Sequence, residues 1–244
     1  MADVSGTIVR RYFRTGIAVD TKHDQSPVTE ADRAVETAIR EMVDRDHPDH
    51  GIYGEEHGTV RTDAEYVWVI DPIDGTKAFI TGVPLFGTLI ALLHRGIPVL
   101  GVIDQPVLGE RWVGVAGRAT ELNGRPARTR PCASLSDAYL FTTTPDMYQG
   151  ANASAFGRLR SAVQFTRFGG DCYAFGLLAS GFIDVITEAT LKPYDYCALV
   201  PVVAGAGGVM TDWQGRPLGL DSDGRVIAAG DLRVHEQALA RLAG

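Results

Sequence analysis

The run Tyr66-Val67-Trp68-Val69-Ile70, continued at once by Asp71-Pro72-Ile73-Asp74-Gly75-Thr76, constrains this chain more than any other stretch. Consecutive aromatic and β-branched residues read as a buried strand, and the strand is expected to stop at Asp71-Pro72. The segment from Asp71 to Thr76 then sits at a strand end, where an α/β protein presents its chemistry. Pro72 stiffens the turn and Gly75 permits close backbone approach, so the carboxylates of Asp71 and Asp74 can converge while the next amides point at one spot. Two acids with free amides suit a hard cation and a phosphate, because magnesium is held by one or two carboxylates while phosphate and water complete its octahedron. A bare pair of acids at this spacing also fits a solvated turn with Asp71 as a cap.

Two further acids occupy comparable places. Gly54-Glu55-Glu56 comes after the apolar pair Ile52-Tyr53, which puts acids at another strand end behind a glycine. Asp195, in Tyr194-Asp195-Tyr196-Cys197-Ala198, opens an apolar stretch that reaches Ala206. Alone, the first reads as a surface turn and the second as a helix N-cap.

At 244 residues the chain can bury the core of one large domain or of two closely packed lobes. Its 45% hydrophobic and 22% charged residues exclude a disordered chain. A net charge of -7, with acids scattered along the sequence, argues against a nucleic-acid partner. Cys132, Cys172 and Cys197 are widely spaced and form no CxxC pair, so neither a disulfide framework nor a thiolate zinc site is indicated, and a reducing cytoplasm is expected. No secretory pattern opens the sequence and no run approaches the ~18 apolar residues of a membrane span, so no membrane partner is expected. The six histidines show no paired ligand spacing, and they receive no role, nor do Asp137 and Asp146.

Apolar residues at Ile8, Val9, Tyr12, Phe13 and Ile17 predict an amphipathic helix over 8–17. A second helix starts at the N-cap Thr29, with Glu30 and Asp32 in its first turn. Its predicted core face is Ala34, Val35, Ala38, Ile39, Met42 and Val43, and His47-Pro48 ends it. Strands are predicted at 85–93 and 97–103, joined by Arg95-Gly96, and at 111–115. Beyond Arg130-Pro131, strands near 138–143, 163–168 and 182–186 interleave with helices near 152–161, 172–180 and 195–207. The fold class is therefore α/β. An α+β N-terminal lobe, residues 1–132, carries the metal-binding motif; an α/β C-terminal lobe, residues 133–244, packs against it and shares the substrate pocket.

Val28-Thr29-Glu30-Ala31-Asp32, Gly54-Glu55-Glu56, Trp68 through Thr76 and Tyr194-Asp195 stand in the order and spacing of the inositol monophosphatase family, which the chain resembles over nearly its whole length. The resemblance implies the layered α-β-α-β-α sandwich of sugar phosphatases, a homodimer, and hydrolysis of a small phosphate ester. It implies that Glu55, Asp71, Asp74, Asp195 and the carbonyl of Ile73 hold two or three magnesium ions, with manganese as a substitute. It implies Asp32, Thr76 and Glu55 as the catalytic set, the first two positioning and deprotonating the attacking water. Asp74, Gly75, Thr76, Asp171, Glu188 and Asp195 would line the substrate, with the amides of Gly75 and Thr76 on the phosphate. Lys22 aligns with a basic residue on a mobile loop near the site and reads equally as a solvated lysine.

Departures from the inositol phosphatases point to the substrate. Lys77-Ala78-Phe79 replaces their usual Thr-Asn-Phe, and Phe86-Gly87-Thr88-Leu89 and Phe168-Gly169-Gly170-Asp171-Cys172-Tyr173-Ala174 resemble the histidinol-phosphatase branch. Histidinol phosphate carries an ammonium and an imidazole where inositol phosphate offers neutral hydroxyls, and Asp171 and Glu188 can supply the extra negative charge. The expected reaction is magnesium-dependent hydrolysis of histidinol phosphate. The alternatives are an inositol-1-monophosphatase or broad sugar phosphatase, a nucleotide 3'-phosphatase, and a non-enzymatic binding partner of a larger complex.

Overall fold

The computed structural model describes residues 1–21 and 27–244. In chain order the elements are α1 (Ala2–Tyr12), β1 (Val19–Thr21), β2 (Pro27–Thr29), α2 (Glu30–Asp46), β3 (Gly51–Gly54), β4 (Thr59–Val60), β5 (Tyr66–Asp74), α3 (Thr76–Ile80), β6 (Gly87–His94), β7 (Ile97–Gln105), β8 (Glu110–Val115), β9 (Glu121–Leu122) and β10 (Arg125–Pro126). The second half contains β11 (Tyr139–Thr142), α4 (Ala151–Arg160), β12 (Phe165–Phe168), α5 (Asp171–Ala179), β13 (Val185–Glu188), α6 (Pro193–Tyr196), α7 (Leu199–Gly205), β14 (Val209–Asp212), β15 (Val226–Ala229) and α8 (Leu232–Ala243).

Two sheets carry the architecture. The first runs β10-β9-β8-β7-β6-β5-β3-β4 and the second β12-β11-β13-β15-β14. Alternation along each strand sends side chains to opposite faces, and the cores arise from it. Val67 and Val69 of β5, with Leu89, Ala91 and Leu93 of β6, face a central layer formed by α5, α6 and α7, which meets Ile186, Val226 and Ala228 of the second sheet. Trp68, Ile70 and Ile90 face the other way, against Val9 of α1 and Val35, Ile39 and Val43 of α2. On the outer side of the second sheet, Leu140, Val185, Ile227 and Ala229 pack under Phe156 and Leu159 of α4 and Val234 and Ala238 of α8. The layers are α-β-α-β-α.

The central helices sit close to the first sheet because two glycines make room. Gly101 and Gly114 are cross-strand partners, and a Cβ on either would overlap the α7 region, on the carbonyl of Ala198 or the backbone of Pro201. That groove fixes where α6 and α7 lie, and hence where Asp195 is delivered.

Local differences from the sequence expectations have physical causes. The first helix covers 2–12 rather than 8–17: its inward residues include Ser5 and Gly6, which carry no apolar signal, and Phe13 is already extended. On α2 the buried residues are Ala31, Asp32, Val35, Glu36, Ile39 and Val43; Ala34, Ala38 and Met42 are half-buried, because two acids take part of the inner face. The strand expected to stop at Asp71-Pro72 continues to Asp74 across a bulge. The helix expected over 195–207 is two short helices, and Asp195 lies inside the first of them rather than at its N-cap. β14, β15 and α8 lie beyond the expected elements.

Candidate metal centre and substrate cleft

Asp71 pairs with Leu89 and Asp74 with Gly87, so Pro72 and Ile73 together face Thr88 alone. Two residues opposite one make a β-bulge, which bends the strand and re-aims its side chains. Within it Asp71 Oδ1 accepts the Ile73 N–H at 3.1 Å, and the Thr76 hydroxyl donates to the Ile73 carbonyl at 3.1 Å. Gly75 then turns the chain into α3 with φ of +88°, and a Cβ there would lie 3.1 Å from Asp171, so only glycine meets both demands.

The other acids come from distant elements. Asp195 sits in the first turn of α6, its Oδ2 accepting the Lys192 N–H at 2.6 Å. Asp74 Oδ2 accepts the N–H of Cys172 at 2.5 Å. One carboxylate oxygen from each of Asp71, Asp74 and Asp195 lies within 4.8 Å of the others. Glu55 adjoins this group: its side chain hydrogen-bonds to Asp71, and its charge acts on Asp71 and Asp195.

Burial pushes the carboxyls of Asp71 and Asp74 well above the ordinary range, and the main charges beside them are acids: Glu55, Asp74 and Asp195 around Asp71, Asp171 and Asp195 around Asp74. Burial raises Asp195 to about 7. Carboxylates gathered without a compensating cation must hold protons or bind a metal. An all-oxygen donor set is the choice of a hard cation, so these residues fit magnesium or manganese.

Asp32 lies at the start of α2 in a capping box: Oδ2 accepts both the N–H and the hydroxyl of Thr29, at 2.8 and 2.6 Å. Oδ1 is buried and has no hydrogen-bond partner among the described residues. Burial raises this carboxyl above its usual value, against the pull of the Thr29 bonds.

A residue given no role from the sequence braces the turn that carries Glu55. Glu36 is fully buried; it accepts the N–H groups of Glu56 and His57 at 2.7 and 3.1 Å and pairs with Arg40 at 2.7 Å. Arg40 reaches on to the Gly58 carbonyl. A Cβ at Gly54 would overlap the Glu36 carboxylate, which explains the glycine before Glu55. The sequence signal was the i,i+4 spacing of Glu36 and Arg40, which looks the same on a solvated helix face.

A cleft of about 420 Å³ adjoins the cluster through Glu55; its walls also include Gly75, Thr76, Lys77, Asp146 and Asp171, whereas Asp74 and Asp195, expected to line the substrate, are not among them. Asp171 and Thr190, another wall residue, hold positive φ of 44° and 65°, conformations that side chains rarely adopt and that cluster at ligand-binding surfaces. Burial lifts Asp171 to about 6 while Lys77 pulls it down. Glu188 stands behind the wall: its Oε1 accepts the N–H and hydroxyl of Thr143, which lines the cleft, and its Oε2 is buried without a partner among the described residues. Asp146, to which the sequence assigns no role, reaches the cleft through the short 3-10 turn Pro145–Met147. Lys22 lies outside the described residues.

Comparison with known proteins agrees with this geometry. The model of the inositol monophosphatase family matches residues 1–244. The chain is 50% identical to the bifunctional phosphatase IMPL2, chloroplastic, of Arabidopsis thaliana, across 99% of this chain and 72% of that protein. It is 37% identical to a histidinol-phosphatase of Chlorobaculum parvum, across 93% of this chain and 89% of that one. A solved inositol monophosphatase from Zymomonas mobilis superposes with a TM-score of 0.92 at 48% identity, covering 100% of this chain and 94% of the other. With its acids on the same layered frame and its sequence matched from end to end, this chain belongs to the inositol monophosphatase family.

Proposed function

We propose that this phosphatase hydrolyses histidinol phosphate to histidinol and phosphate in a magnesium-dependent reaction, at a site shared between the lobes 1–132 and 133–244. The observation that carries the chemistry is the convergence of Asp71, Asp74 and Asp195 within 4.8 Å, buried among other acids. Glu55, Asp71, Asp74, Asp195 and the Ile73 carbonyl would hold the metal. When bound, magnesium supplies positive charge to the phosphoryl and leaving oxygens and lowers the pKa of attacking water.

The protein's own groups do the rest. Asp32 Oδ1, spare and of raised proton affinity, takes the proton of the incoming water. The Thr76 hydroxyl donates its hydrogen bond to the Ile73 carbonyl and keeps its lone pairs for that water, which fixes the line of attack. The amides of Gly75 and Thr76 receive the phosphate, and water displaces the alkoxide in line without a covalent phospho-enzyme.

The choice of substrate rests on Asp171, which places a carboxylate on the cleft wall beside Gly75, where an ammonium gains and a neutral hydroxyl does not. Glu188 adds negative charge from behind Thr143. The histidinol-phosphatase of Chlorobaculum parvum supports the same reading. Purified protein with magnesium should show a higher kcat/KM for histidinol phosphate than for inositol 1-phosphate; the reverse order overturns the choice.

A second reading, an inositol or broad sugar phosphatase, is favoured by the 48% identity to the Zymomonas mobilis enzyme, and comparable kcat/KM across several esters would select it. The buried free cysteines favour a reducing cytoplasm. A homodimer is proposed on the family resemblance, to be read by light scattering. No helix among the described residues is long and apolar enough to cross a membrane.

A further inference from the structure

The bulge in β5 leaves a problem that its own strand cannot solve. Pro72 is buried where two residues face one, and its carbonyl still needs a hydrogen-bond donor there. The Thr88 hydroxyl takes that place, donating to the Pro72 carbonyl at 2.8 Å from the residue opposite the bulge. A hydroxyl has one proton, and Thr88 has spent it. The 2.5 Å contact between Ser5 Oγ and Thr88 Oγ1 therefore runs from Ser5 to Thr88. Ser5 sits on α1, and both side chains are shut off from solvent. A directed chain results, Ser5 to Thr88 to the carbonyl of Pro72, and the next peptide units carry the Ile73 carbonyl and Asp74.

We propose that Ser5 and Thr88 are positioning residues that hold the bulge in the shape needed for Asp71, the Ile73 carbonyl and Asp74 to bind metal. The inference rests on the reading of these groups as metal ligands. Neither side chain lines the cleft or belongs to the acid cluster; each acts through the Pro72 peptide. The arrangement also gives the first helix a purpose that its apolar stripe does not explain, since a serine on its buried face would otherwise cost stability for no return.

The test compares Thr88→Val, which keeps the shape and deletes the donor, with Thr88→Ser, which restores it, and with Ser5→Ala. Magnesium binding is read by calorimetry, alongside the magnesium concentration for half-maximal phosphate release. Thr88→Val should weaken magnesium binding by about tenfold, Ser5→Ala by about threefold, and Thr88→Ser should return it to within about twofold, all with KM at saturating magnesium nearly unchanged. Wild-type magnesium binding in Thr88→Val, or a Thr88→Ser variant as impaired as Thr88→Val, overturns the proposal. A lowered melting temperature in EDTA with unaltered magnesium binding also overturns it, because the relay would then be structural only. Should Thr88→Val fail to fold, Ser5→Ala and Thr88→Ser carry the same comparison. Calorimetry reads binding whether or not a tested ester turns over, so a wrong substrate and a wrong positioning role give different results.

Discussion

The N–H of Cys172 donates to Asp74 Oδ2 across 2.5 Å, joining the first turn of α5 to the bulge at the end of β5. This bond ties the central layer to the first sheet, and it carries Asp171 with it to the cleft wall beside Gly75. Placement of the candidate metal ligand and of the candidate substrate acid are thus one event. Gly87 makes the approach feasible, since a Cβ there would lie 2.9 Å from the Cys172 sulfur.

Replacement of Asp74 by Asn keeps the shape and an acceptor for the Cys172 N–H while removing a buried charge that sits among acids. Turnover should fall by at least about a thousandfold, since the affected groups act on the developing charge. In EDTA the variant should melt above wild type by about 2 to 4 °C, because the charge it loses is uncompensated without metal. Phosphate release checks the first and calorimetric melting with and without magnesium the second: the wild type should gain stability from the ion and Asp74→Asn should not.

The pH dependence arises from Asp195 in the cluster and from Asp171 and Glu188 beside it. Burial raises Asp171 to about 6, Asp195 to about 7 and Glu188 to about 8, from ordinary values of 3.8, 3.8 and 4.5. Between those limits the metal-free native state binds more protons than the unfolded chain, so its stability falls as pH rises from about 4 to about 8. A cation competes with those protons, so magnesium binding strengthens over the same interval. The melting temperature in EDTA should decline from pH 5.5 to 8, while the increment added by magnesium grows. A flat increment would show that the acids do not share the ion.

Glu36→Ala should destabilise the fold by about 3 kcal/mol, since it strips Arg40 of its partner and leaves two N–H groups of the Glu55 turn unmet. It should also raise the magnesium requirement. Urea denaturation gives the first quantity and magnesium titration of activity the second.

Asp171→Asn tests the substrate. The kcat/KM for histidinol phosphate should drop by about tenfold or more, and that for inositol 1-phosphate by less than about threefold, because only the first carries a cation to lose its partner. Equal losses on both esters would assign Asp171 to holding Gly75 and Asp74 in place.

Much of this was legible in the sequence, and the exceptions share a cause. Asp71, Asp74 and Gly75 announce themselves because chemistry and backbone geometry occupy one short string. Val67 and Val69 were readable as core, though not which layer each faces. Glu36 and Ser5 were not readable: a glutamate or serine on a helix looks solvated until its partner, twenty or more residues away in sequence, arrives by folding. Pro72 misled because proline usually ends pairing, whereas here the bulge removes the need for its missing N–H. Asp146 carries no local signal; the short turn after β11 alone brings it to the cleft.

The decisive measurement is the anomalous scattering of manganese in crystals of the active protein. Density is expected between the carboxylates of Asp71, Asp74 and Asp195, and its loss in Asp74→Asn. Manganese bound elsewhere, or none at a concentration that sustains phosphate release, would contradict a metal centre built from these acids.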